Sequence, residues 1–414
     1  MSVENADPLS WTRNRSPVLE SFATQYEESR PLAGYDIAVC SSVTTNTGIL
    51  IETLRAAGVD YLPFTSAGPK YNEPAVIDAL DELSGVEAFV EPEMSGEDLE
   101  AARRRLLETE PDFIIEDGCV LTSTLHAEYP NIAEHVLGAV EQTTIGITRL
   151  RAMDRQGVLK YPVYGVNDTP MKHYFDNVHG TGETTLTGIL STTNTLLSGA
   201  TVVVAGYGYC GRGVARKARG LGARTIVTEV DPRKALEAMM DGHWVMPMDE
   251  AVAVGEYFIA ATGNVDVIRR EHFERMADDA IVASAGTASE IPVDDLESLA
   301  EDVTTPRPGV TQYHLSDGRR INLLADAYVV NLAAPNSTGH PAEVMDLTFA
   351  MMFVGAHDLL LRNTDLTPGL HPIPDRLDRE VADRALDSMG VRIDDLTDQQ
   401  RAYIEDWEHA DSRM

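Results

Sequence analysis

Apolar and polar positions along the chain group into short apolar runs separated by amphipathic segments of helical spacing. The runs in the first part of the chain have the length of buried strands and end at glycine or polar residues. The predicted strands cover residues 35–40, 59–64 and 112–116, and the predicted helices cover residues 46–57 and 97–108. Strands that alternate with helices are typical of a parallel sheet with helices on both faces. The first part of the chain is therefore predicted to be an α/β unit, preceded by a loose lead-in with one helix.

A second α/β unit is predicted after residue 182, introduced by a long helix at residues 183–197. Its predicted strands include residues 202–205, 257–261, 281–285 and 329–331, which end at small or polar residues. Ligands bind at the carboxyl ends of strands in such sheets, so these corners are expected to face a ligand. An apolar helix at residues 343–362 is predicted to return the chain to the first unit, and the tail after Pro368 is predicted to be acidic and helical.

The turn after residues 202–205 has the spacing of a dinucleotide site, Gly206-x-Gly208-x-x-Gly211, and Glu229 ends the next apolar run. Gly206 suits a tight turn, Gly208 lets a pyrophosphate approach the backbone, and Gly211 lets the helix pack close to the strand. Glu229 can accept hydrogen bonds from both ribose hydroxyls, which favours NAD over NADP although Lys234 follows nearby. A glycine-rich turn without a ligand is the alternative, but the strand, helix, second strand and acid stand in the expected order.

The net charge of −33 over 414 residues argues against nucleic-acid binding, which needs a basic surface. No run of 18 apolar residues occurs, so no membrane span is expected. The polar first residues show no signal-peptide pattern, and three scattered cysteines suit neither a disulfide framework nor a metal site. A cytoplasmic protein without a metal is therefore expected, with acidic helices at residues 294–302 and 375–383 on its surface.

Six segments resemble one family closely, the adenosylhomocysteinases (S-adenosylhomocysteine hydrolases), within residues 35–403. They are residues 48–54, 141–146, 166–177, 204–208 and 228–232 and the tripeptide Gly339-His340-Pro341. The resemblance implies a two-domain α/β fold, with a Rossmann NAD-binding domain (183–342) inserted in a split α/β substrate-binding domain (1–182, with a return through 343–414). It also implies a homodimer or homotetramer. The apolar helix, at 347–361, suits either such an interface or the core of one chain.

In this family a tightly bound NAD oxidises the 3′-hydroxyl of an adenosine-type nucleoside, the 4′ hydrogen is removed, and the 5′ substituent leaves. Water then adds and the ketone is reduced. The resemblance implies that Lys172 and Asp176 grip the ribose hydroxyls and take the hydroxyl proton, and residues four apart can share a helix face. An ordinary surface ion pair is the alternative for this spacing. His340, Gln142 and Asn177 complete the expected catalytic set.

Further residues are expected to bind NAD because they lie in the matched segments or at strand corners. Besides the three glycines and Glu229, they are Thr143, Thr144, Asn177, Tyr209, Cys210, Val230, Lys234, Thr262, Gly263, Ala285, Gly286, Asn331 and His340. Tyr209 and Cys210 replace the aspartate and valine of the family pattern, and Cys210 is expected to serve packing.

Departures from the family pattern fall where the leaving group and water would be handled. Val120 stands where the resemblance implies a catalytic aspartate, and Ser42 and Thr287 stand where it implies histidines. Gln142 replaces a glutamate, and Asn46 replaces the acid expected to read the adenine edge. The expected substrate-binding residues are Ser42, Thr44, Asn46, Val120, Gln142, Lys172, Asp176, Thr287 and His340. Valine carries no proton, so this side of the site is expected to have changed its chemistry.

Three hypotheses follow. The leading one is a dehydratase resembling the adenosylhomocysteinase-like enzymes of angustmycin-type nucleoside pathways, which eliminates water and leaves an unsaturated sugar. The second is hydrolysis of S-adenosylhomocysteine to adenosine and homocysteine with substituted proton shuttles, and epimerisation through the same ketone is a related alternative. The third is a non-catalytic, NAD-binding regulatory paralogue, against which the retention of Lys172 and Asp176 counts.

Overall fold

Two sheets, each at the centre of an α/β unit, form the framework of the protein. The structure is a computed structural model that describes residues 7–68, 70, 72–362, 366–405 and 407. The first six residues of the expected lead-in and the end of the expected tail lie outside this part. The strands are β1 (Ile37–Cys40), β2 (Leu62–Thr65), β3 (Val86–Ala88), β4 (Phe113–Glu116), β5 (Gly138–Glu141), β6 (Pro162–Gly165), β7 (Thr201–Ala205), β8 (Arg224–Thr228), β9 (Trp244–Val245), β10 (Tyr257–Ala260), β11 (Ala280–Ser284), β12 (Ala300–Arg307), β13 (Val310–Leu315), β14 (Arg320–Leu324) and β15 (Gly369–His371).

Helices connect most of these strands. The α-helices are α1 (Ser10–Arg13), α2 (Pro17–Tyr26), α3 (Thr45–Ala56), α4 (Pro74–Asp81), α5 (Gly96–Leu107), α6 (Val120–Glu128), α7 (Pro130–Ala133), α8 (Thr144–Arg155), α9 (Pro170–Lys172), α10 (Thr181–Thr193), α11 (Tyr209–Gly220), α12 (Pro232–Met240), α13 (Met248–Ala251), α14 (Arg270–Phe273), α15 (Val293–Leu299), α16 (Val330–Ala333), α17 (Ala342–Arg362), α18 (Asp375–Ser388) and α19 (Asp398–Glu405). A π-helix covers His173–Gly180, and 3₁₀ helices cover Val166–Asp168, Ala288–Glu290 and Ala325–Ala327.

The first sheet is parallel throughout, with the strand order β15-β6-β5-β4-β1-β2-β3. Its register places the last residues of three neighbouring strands side by side, with Cys40 opposite Glu116 and Glu116 opposite Glu141. The segments that follow β1, β4 and β5 therefore leave the sheet at one edge. This edge is where ligands bind in open α/β sheets.

The second sheet has the order β12-β13-β14-β11-β10-β7-β8-β9 and is parallel from β14 to β9. The antiparallel strands β12 and β13 extend it, so residues 300–302, expected in a surface helix, belong to β12 instead. The strand expected at 329–331 is also wrong, because Val329 makes only an isolated bridge to Ser284 before α16 begins.

Several helix predictions shift for local reasons. The helix expected at 183–197 is α10, which ends at Thr193 because Asn194 adopts a positive φ of 54°. The lead-in holds two helices, α1 and α2, rather than one. The tail after Pro368 is not wholly helical, because β15 pairs with β6 there and extends the first sheet.

The apolar helix α17 lies in the core of the first unit and packs against α2, α3 and β5. By length and composition alone it could cross a membrane, but 83% of its most apolar window is buried inside the fold, as in a core helix. This burial favours the core of one chain over a subunit interface as the role of residues 347–361. Asp346 on the same helix accepts hydrogen bonds from Val18 N and Leu19 N, both at 2.9 Å, and so ties α2 to the core.

Candidate functional site

Residues from both units line a cavity of about 430 Å³ at the carboxyl ends of the two sheets. All nine expected substrate-binding residues line it: Ser42, Thr44, Asn46, Val120, Gln142, Lys172, Asp176, Thr287 and His340. Concave sites with a few convergent polar groups are where proteins bind small molecules. The fold therefore brings together residues that are up to about three hundred positions apart in the sequence.

Lys172 and Asp176 form a buried pair in this cavity. Lys172 ends α9, and the π-helix that follows carries Asp176 and Asn177. The Lys172 Nζ donates to Asp176 Oδ1 and to Asn177 Oδ1, each at 2.9 Å. The exposed fractions of the Lys172 and Asp176 side chains are 7% and 3%, which excludes the surface ion pair that the spacing alone left open. A π-helical turn at this position is itself a frequent mark of a functional site.

Two groups from distant segments fix the Asp176 carboxylate. Thr348 Oγ1 donates to Asp176 Oδ2 at 2.8 Å, and His340 Nδ1 lies 3.2 Å from Asp176 Oδ1. Burial by itself would raise the pKa of Asp176, but the charges of Lys172 and His340 hold that pKa below its ordinary value. Asp176 is therefore ionised at neutral pH, and it holds the Lys172 ammonium at a fixed place in the cavity.

Asp117, which was not among the expected site residues, is a second carboxyl group that lines this cavity. Ser41 Oγ donates to its Oδ2 at 2.6 Å, and Gln142 Nε2 donates to its Oδ1. Burial raises the pKa of Asp117 to about 6, although these two hydrogen bonds and the charge of Lys172 oppose the rise. A carboxyl group with such a pKa can exchange protons near neutral pH.

The expectation drawn from Val120 is therefore corrected. Val120 begins α6 and lines the cavity, but Asp117 three residues earlier supplies a proton-carrying group to the same space. The sequence did contain an indication, because β4 ends at the acid Glu116 and a second acid, Asp117, follows it at the carboxyl edge of the sheet.

Two further buried acids shape the loop that carries Asp117. Glu141 accepts hydrogen bonds from Gly118 N at 3.0 Å and Cys119 N at 2.7 Å, and Glu116 accepts one from Leu121 N at 2.7 Å. Burial raises the pKa of Glu116 to about 7 and that of Glu141 well above its ordinary range. Their acceptors are occupied by backbone amides, so these acids position Asp117 rather than reach the cavity.

The glycine turn has the geometry that dinucleotide binding needs. Gly206 has φ +95°, and a Cβ on Gly211 would lie 2.0 Å from the Gly206 carbonyl oxygen, so both positions require glycine. A Cβ on Gly208 would meet nothing within 4 Å, which leaves open space over the turn. Helix α11 begins at Tyr209 without a side-chain cap, so its first N–H groups are free to bind an anion.

Glu229 lies beside this turn at the end of β8. Its carboxylate accepts hydrogen bonds from Tyr207 N at 2.8 Å, Val230 N at 2.7 Å and Asp231 N at 3.0 Å. These amides fix the half-buried carboxylate, and its remaining lone pairs can accept from sugar hydroxyls. The Val230 side chain is 98% exposed at the rim of the turn, and Lys234 lies on α12.

The corners after β10 and β11 are joined by a buried acid, Glu290, that the sequence analysis missed. Its carboxylate accepts hydrogen bonds from the backbone N–H groups of Thr262, Gly263 and Thr287. The expected corner residues, Thr262, Gly263, Ala285 and Gly286, are thereby held in one group facing the turn. No spacing in the sequence relates Glu290 to these corners, since the contact depends on the fold.

The remaining expected NAD residues each have contacts of their own. Asn331 lines the cavity, its Nδ2 donates to Thr184 Oγ1 at 3.0 Å, and its buried Oδ1 has no hydrogen-bond partner within the described residues. Elsewhere, Asn177 Nδ2 donates to Cys210 Sγ at 3.3 Å, Tyr209 stacks on His173, Thr143 caps α8, and Thr144 donates to Asn167. A buried amide oxygen without a partner suits an N–H donor of a ligand such as a nicotinamide carboxamide.

Comparisons with known proteins agree with this geometry. Residues 177–338 match the family model described as the NAD-binding domain of S-adenosyl-L-homocysteine hydrolase. The chain is similar to an adenosylhomocysteinase of Aquifex aeolicus, with 46% identity over 99% of this chain and 97% of the relative. It is also similar to an S-inosyl-L-homocysteine hydrolase of Methanopyrus kandleri, with 43% identity over 99% of this chain and 96% of the relative. The second unit is therefore an NAD-binding domain, and the free α11 amides, Glu229 and Asn331 fit that cofactor.

Replacing Glu229 with glutamine is expected to weaken NAD binding by about tenfold or more, because a charged acceptor of the ribose hydroxyls is lost. The comparison variant is Glu237→Gln, which changes an acid on the next helix that pairs with Arg212 instead. Calorimetric titration of NAD into the apo forms of both variants measures the change. Equal NAD affinity in Glu229→Gln and the parent protein would show that Glu229 does not contact the cofactor.

Proposed function

The chain belongs to the adenosylhomocysteinase family, and from this premise we propose that it hydrolyses an S-nucleosyl-homocysteine to the nucleoside and homocysteine. The observation that carries the proposal is the presence of Asp117 in the cavity that holds Lys172 and Asp176. The cavity then holds groups that can serve the sugar hydroxyl and a separate group that can serve the departing thiol and the incoming water. Both halves of the hydrolytic reaction have a proton carrier.

NAD, when bound, supplies the reversible oxidation of the 3′-hydroxyl to a ketone. Lys172, held by Asp176 and Asn177, places its Nζ to bind that hydroxyl and to take its proton when the amine is neutral. Because Asp176 is itself fixed by Thr348 and His340, the Nζ has little freedom to move away. This arrangement orients the sugar before any bond changes.

Asp117 in its ionised form is proposed to remove the 4′ proton, which the neighbouring ketone acidifies. The electron pair of that C–H bond forms the C4′–C5′ double bond, and the C5′–S bond breaks with its electrons on sulfur. The thiolate takes this proton from Asp117 and leaves as homocysteine. Water then adds its hydroxyl to C5′ and gives its proton to Asp117, which passes it to C4′, and the ketone is reduced. Ser41 and Gln142 keep the Asp117 carboxyl in place through both proton transfers.

Dehydration of an adenosine-type nucleoside is the second candidate, and three side chains that line the cavity favour it. Ser42, Val120 and Thr287 stand where the family pattern has groups that carry protons, and none of them titrates near neutral pH. A reaction that stops after elimination needs fewer proton transfers than one that also adds water. In that case water would leave from the sugar and an unsaturated nucleoside would accumulate.

Incubation of the NAD-loaded protein with S-adenosylhomocysteine or S-inosylhomocysteine tests the proposal. We expect free thiol and nucleoside to appear in equal amounts, measured with a thiol reagent and by mass spectrometry. A parallel incubation with adenosine-type nucleosides is examined for products lighter by one water. Thiol release supports hydrolysis, and a dehydrated nucleoside without thiol release overturns it in favour of the second candidate. The absence of both products would contradict an enzyme acting on either class.

A further inference from the structure

The wall of the cavity next to Asp117 carries an arginine that has no acidic partner. Arg149 lies on α8 and lines the cavity, where its Nη1 donates to the Gly118 carbonyl oxygen at 2.8 Å. Within the part of the chain that the structure describes, no carboxylate lies within 4.0 Å of its guanidinium. The other cation lining the cavity, Lys172, is already paired with Asp176. Arg149 therefore retains donors that can bind an anion.

The position of Arg149 relates it to one part of the substrate. Gly118, which receives its hydrogen bond, directly follows Asp117, so the guanidinium lies one residue beyond the proposed proton carrier. A substituent that leaves C5′ beside Asp117 would therefore be within reach of this guanidinium. Val120 and Ile145 also line the cavity and offer apolar contacts to a short methylene chain.

The charge of the protein makes an unpaired cation at this place informative. With a net charge of −33, the protein repels anionic ligands on average. The carboxylate of a bound substituent therefore needs a local cation in the cavity, and a guanidinium binds a carboxylate through two parallel hydrogen bonds. A dehydratase substrate with a plain sugar hydroxyl would gain nothing from this arginine.

We propose that Arg149 selects substrates by binding an anionic group at the far end of the 5′ substituent, namely the carboxylate of an amino-acid thioether. This inference rests on the proposed hydrolytic function and deepens it, because it assigns the chemical class of the leaving group. A 5′-phosphate presents a related anion, and the experiment separates the two sources.

The test compares Arg149→Gln with Arg151→Gln, both in the NAD-loaded Lys172→Met background so that no turnover disturbs the titration. Arg151 is two residues away on the same helix, is half exposed and pairs with Asp168 outside the cavity. Calorimetry measures the affinity of each variant for S-adenosylhomocysteine, 5′-methylthioadenosine and adenosine 5′-phosphate. We expect Arg149→Gln to weaken S-adenosylhomocysteine binding by about tenfold and to leave 5′-methylthioadenosine unchanged, since only the former carries the carboxylate. Arg151→Gln is expected to change neither.

The other outcomes either overturn the inference or transfer the same comparison to the parent protein. An equal loss for S-adenosylhomocysteine and 5′-methylthioadenosine means that Arg149 maintains the Gly118 loop rather than reading the substituent. If Arg149→Gln weakens the binding of adenosine 5′-phosphate alone, Arg149 binds a phosphate rather than a carboxylate. The Lys172→Met background is unsuitable if its NAD-loaded form binds none of the three nucleosides although the parent protein binds 5′-methylthioadenosine. In that case the Arg149→Gln and Arg151→Gln changes are made in the parent protein, and their KM values decide between the outcomes. If the parent protein binds none of them, the proposed function itself fails, and the inference with it.

Discussion

Lys172→Met is expected to lower kcat by roughly 10²- to 10⁴-fold, because the variant loses the group that takes the proton of the sugar hydroxyl. Methionine has a similar length and fills the same buried space without a charge. The NAD content is expected to stay close to that of the parent protein, since Lys172 lies in the first unit and the glycine turn in the second. The measurement is the rate of homocysteine release, together with the amount of NAD that co-purifies.

A loss of stability must be separated from a loss of chemistry in this variant. Asp176 is almost fully buried. Without Lys172, the partners of its carboxylate within the described part of the chain are Thr348 and His340. Removing one member of a buried ion pair costs about 3–5 kcal/mol, so the melting temperature is expected to fall. The double variant Lys172→Met with Asp176→Asn removes the uncompensated charge and is expected to recover part of the melting temperature. Its turnover should remain as low as that of the single variant.

The matched control changes a lysine of the same type in an ion pair outside the cavity. Lys217 Nζ lies 2.7 Å from Glu183 on the exposed surface of the second unit, so Lys217→Met is expected to leave turnover unchanged. Near-parental turnover in Lys172→Met, with normal NAD content, would contradict the assignment and would favour the reading of this pair as structural. It would also reopen the regulatory paralogue as an explanation of the chain.

The sequence predicted the architecture around the site because the relevant information is local. Alternation of apolar runs with helical segments predicted β1, β4 and most of the parallel strands, and the glycine spacing predicted the turn after β7. Each of these patterns reflects backbone conformation or burial within a few residues. The antiparallel strand β12 was missed because it is exposed along almost its whole length and shows no alternation. The short strand β15 was missed since its formation depends on pairing with β6.

The site itself was predicted in part, and the errors have a common cause. Lys172 and Asp176 were selected through the family resemblance, with a spacing that suits one helix face, yet the chain forms a π-helix in which Lys172 also reaches Asn177. Tertiary contacts hold Asp176 in this turn, and no local pattern contains them. Asp117 was overlooked because the family pattern placed the catalytic aspartate at Val120, three residues further on. Which of the two residues places its side chain in the cavity as a functional group depends on where β4 ends and the loop turns.

Asp117→Asn is expected to lower kcat/KM by roughly 10²- to 10⁴-fold and to abolish one limb of the pH profile. Burial raises the pKa of Asp117 to about 6, so the carboxyl is protonated below this pH and ionised above it. A group that must be ionised to accept the 4′ proton gives a kcat/KM that rises with pH through about 6 in the parent enzyme. Asparagine does not titrate, and the residual activity of the variant should lack this rise.

Other acids near Asp117 require a control for the pH profile. Burial raises the pKa of Glu116 to about 7 and raises that of Glu141 well above its ordinary range, but the oxygens of both acids accept hydrogen bonds from backbone amides of the loop. Their protonation is expected to change the stability of the loop and therefore the melting temperature, which is recorded at each pH. Asp168→Asn, at an exposed acid paired with Arg151, is expected to leave the profile unchanged.

The pH at which kcat/KM rises, rather than the size of the rise, distinguishes proton transfer from a structural role of Asp117. Ser41 Oγ donates to the ionised carboxylate at 2.6 Å and thereby lowers the pKa of Asp117. In Ser41→Ala that stabilisation is lost, so the pKa rises and the midpoint of the kcat/KM profile should move to higher pH. If Asp117 only supported the loop, Ser41→Ala would lower activity at every pH without moving the midpoint of the kcat/KM profile. If Ser41→Ala leaves the midpoint in place while Asp117→Asn still removes activity, Asp117 acts by position and the proton carrier must be sought in His340 or in bound water.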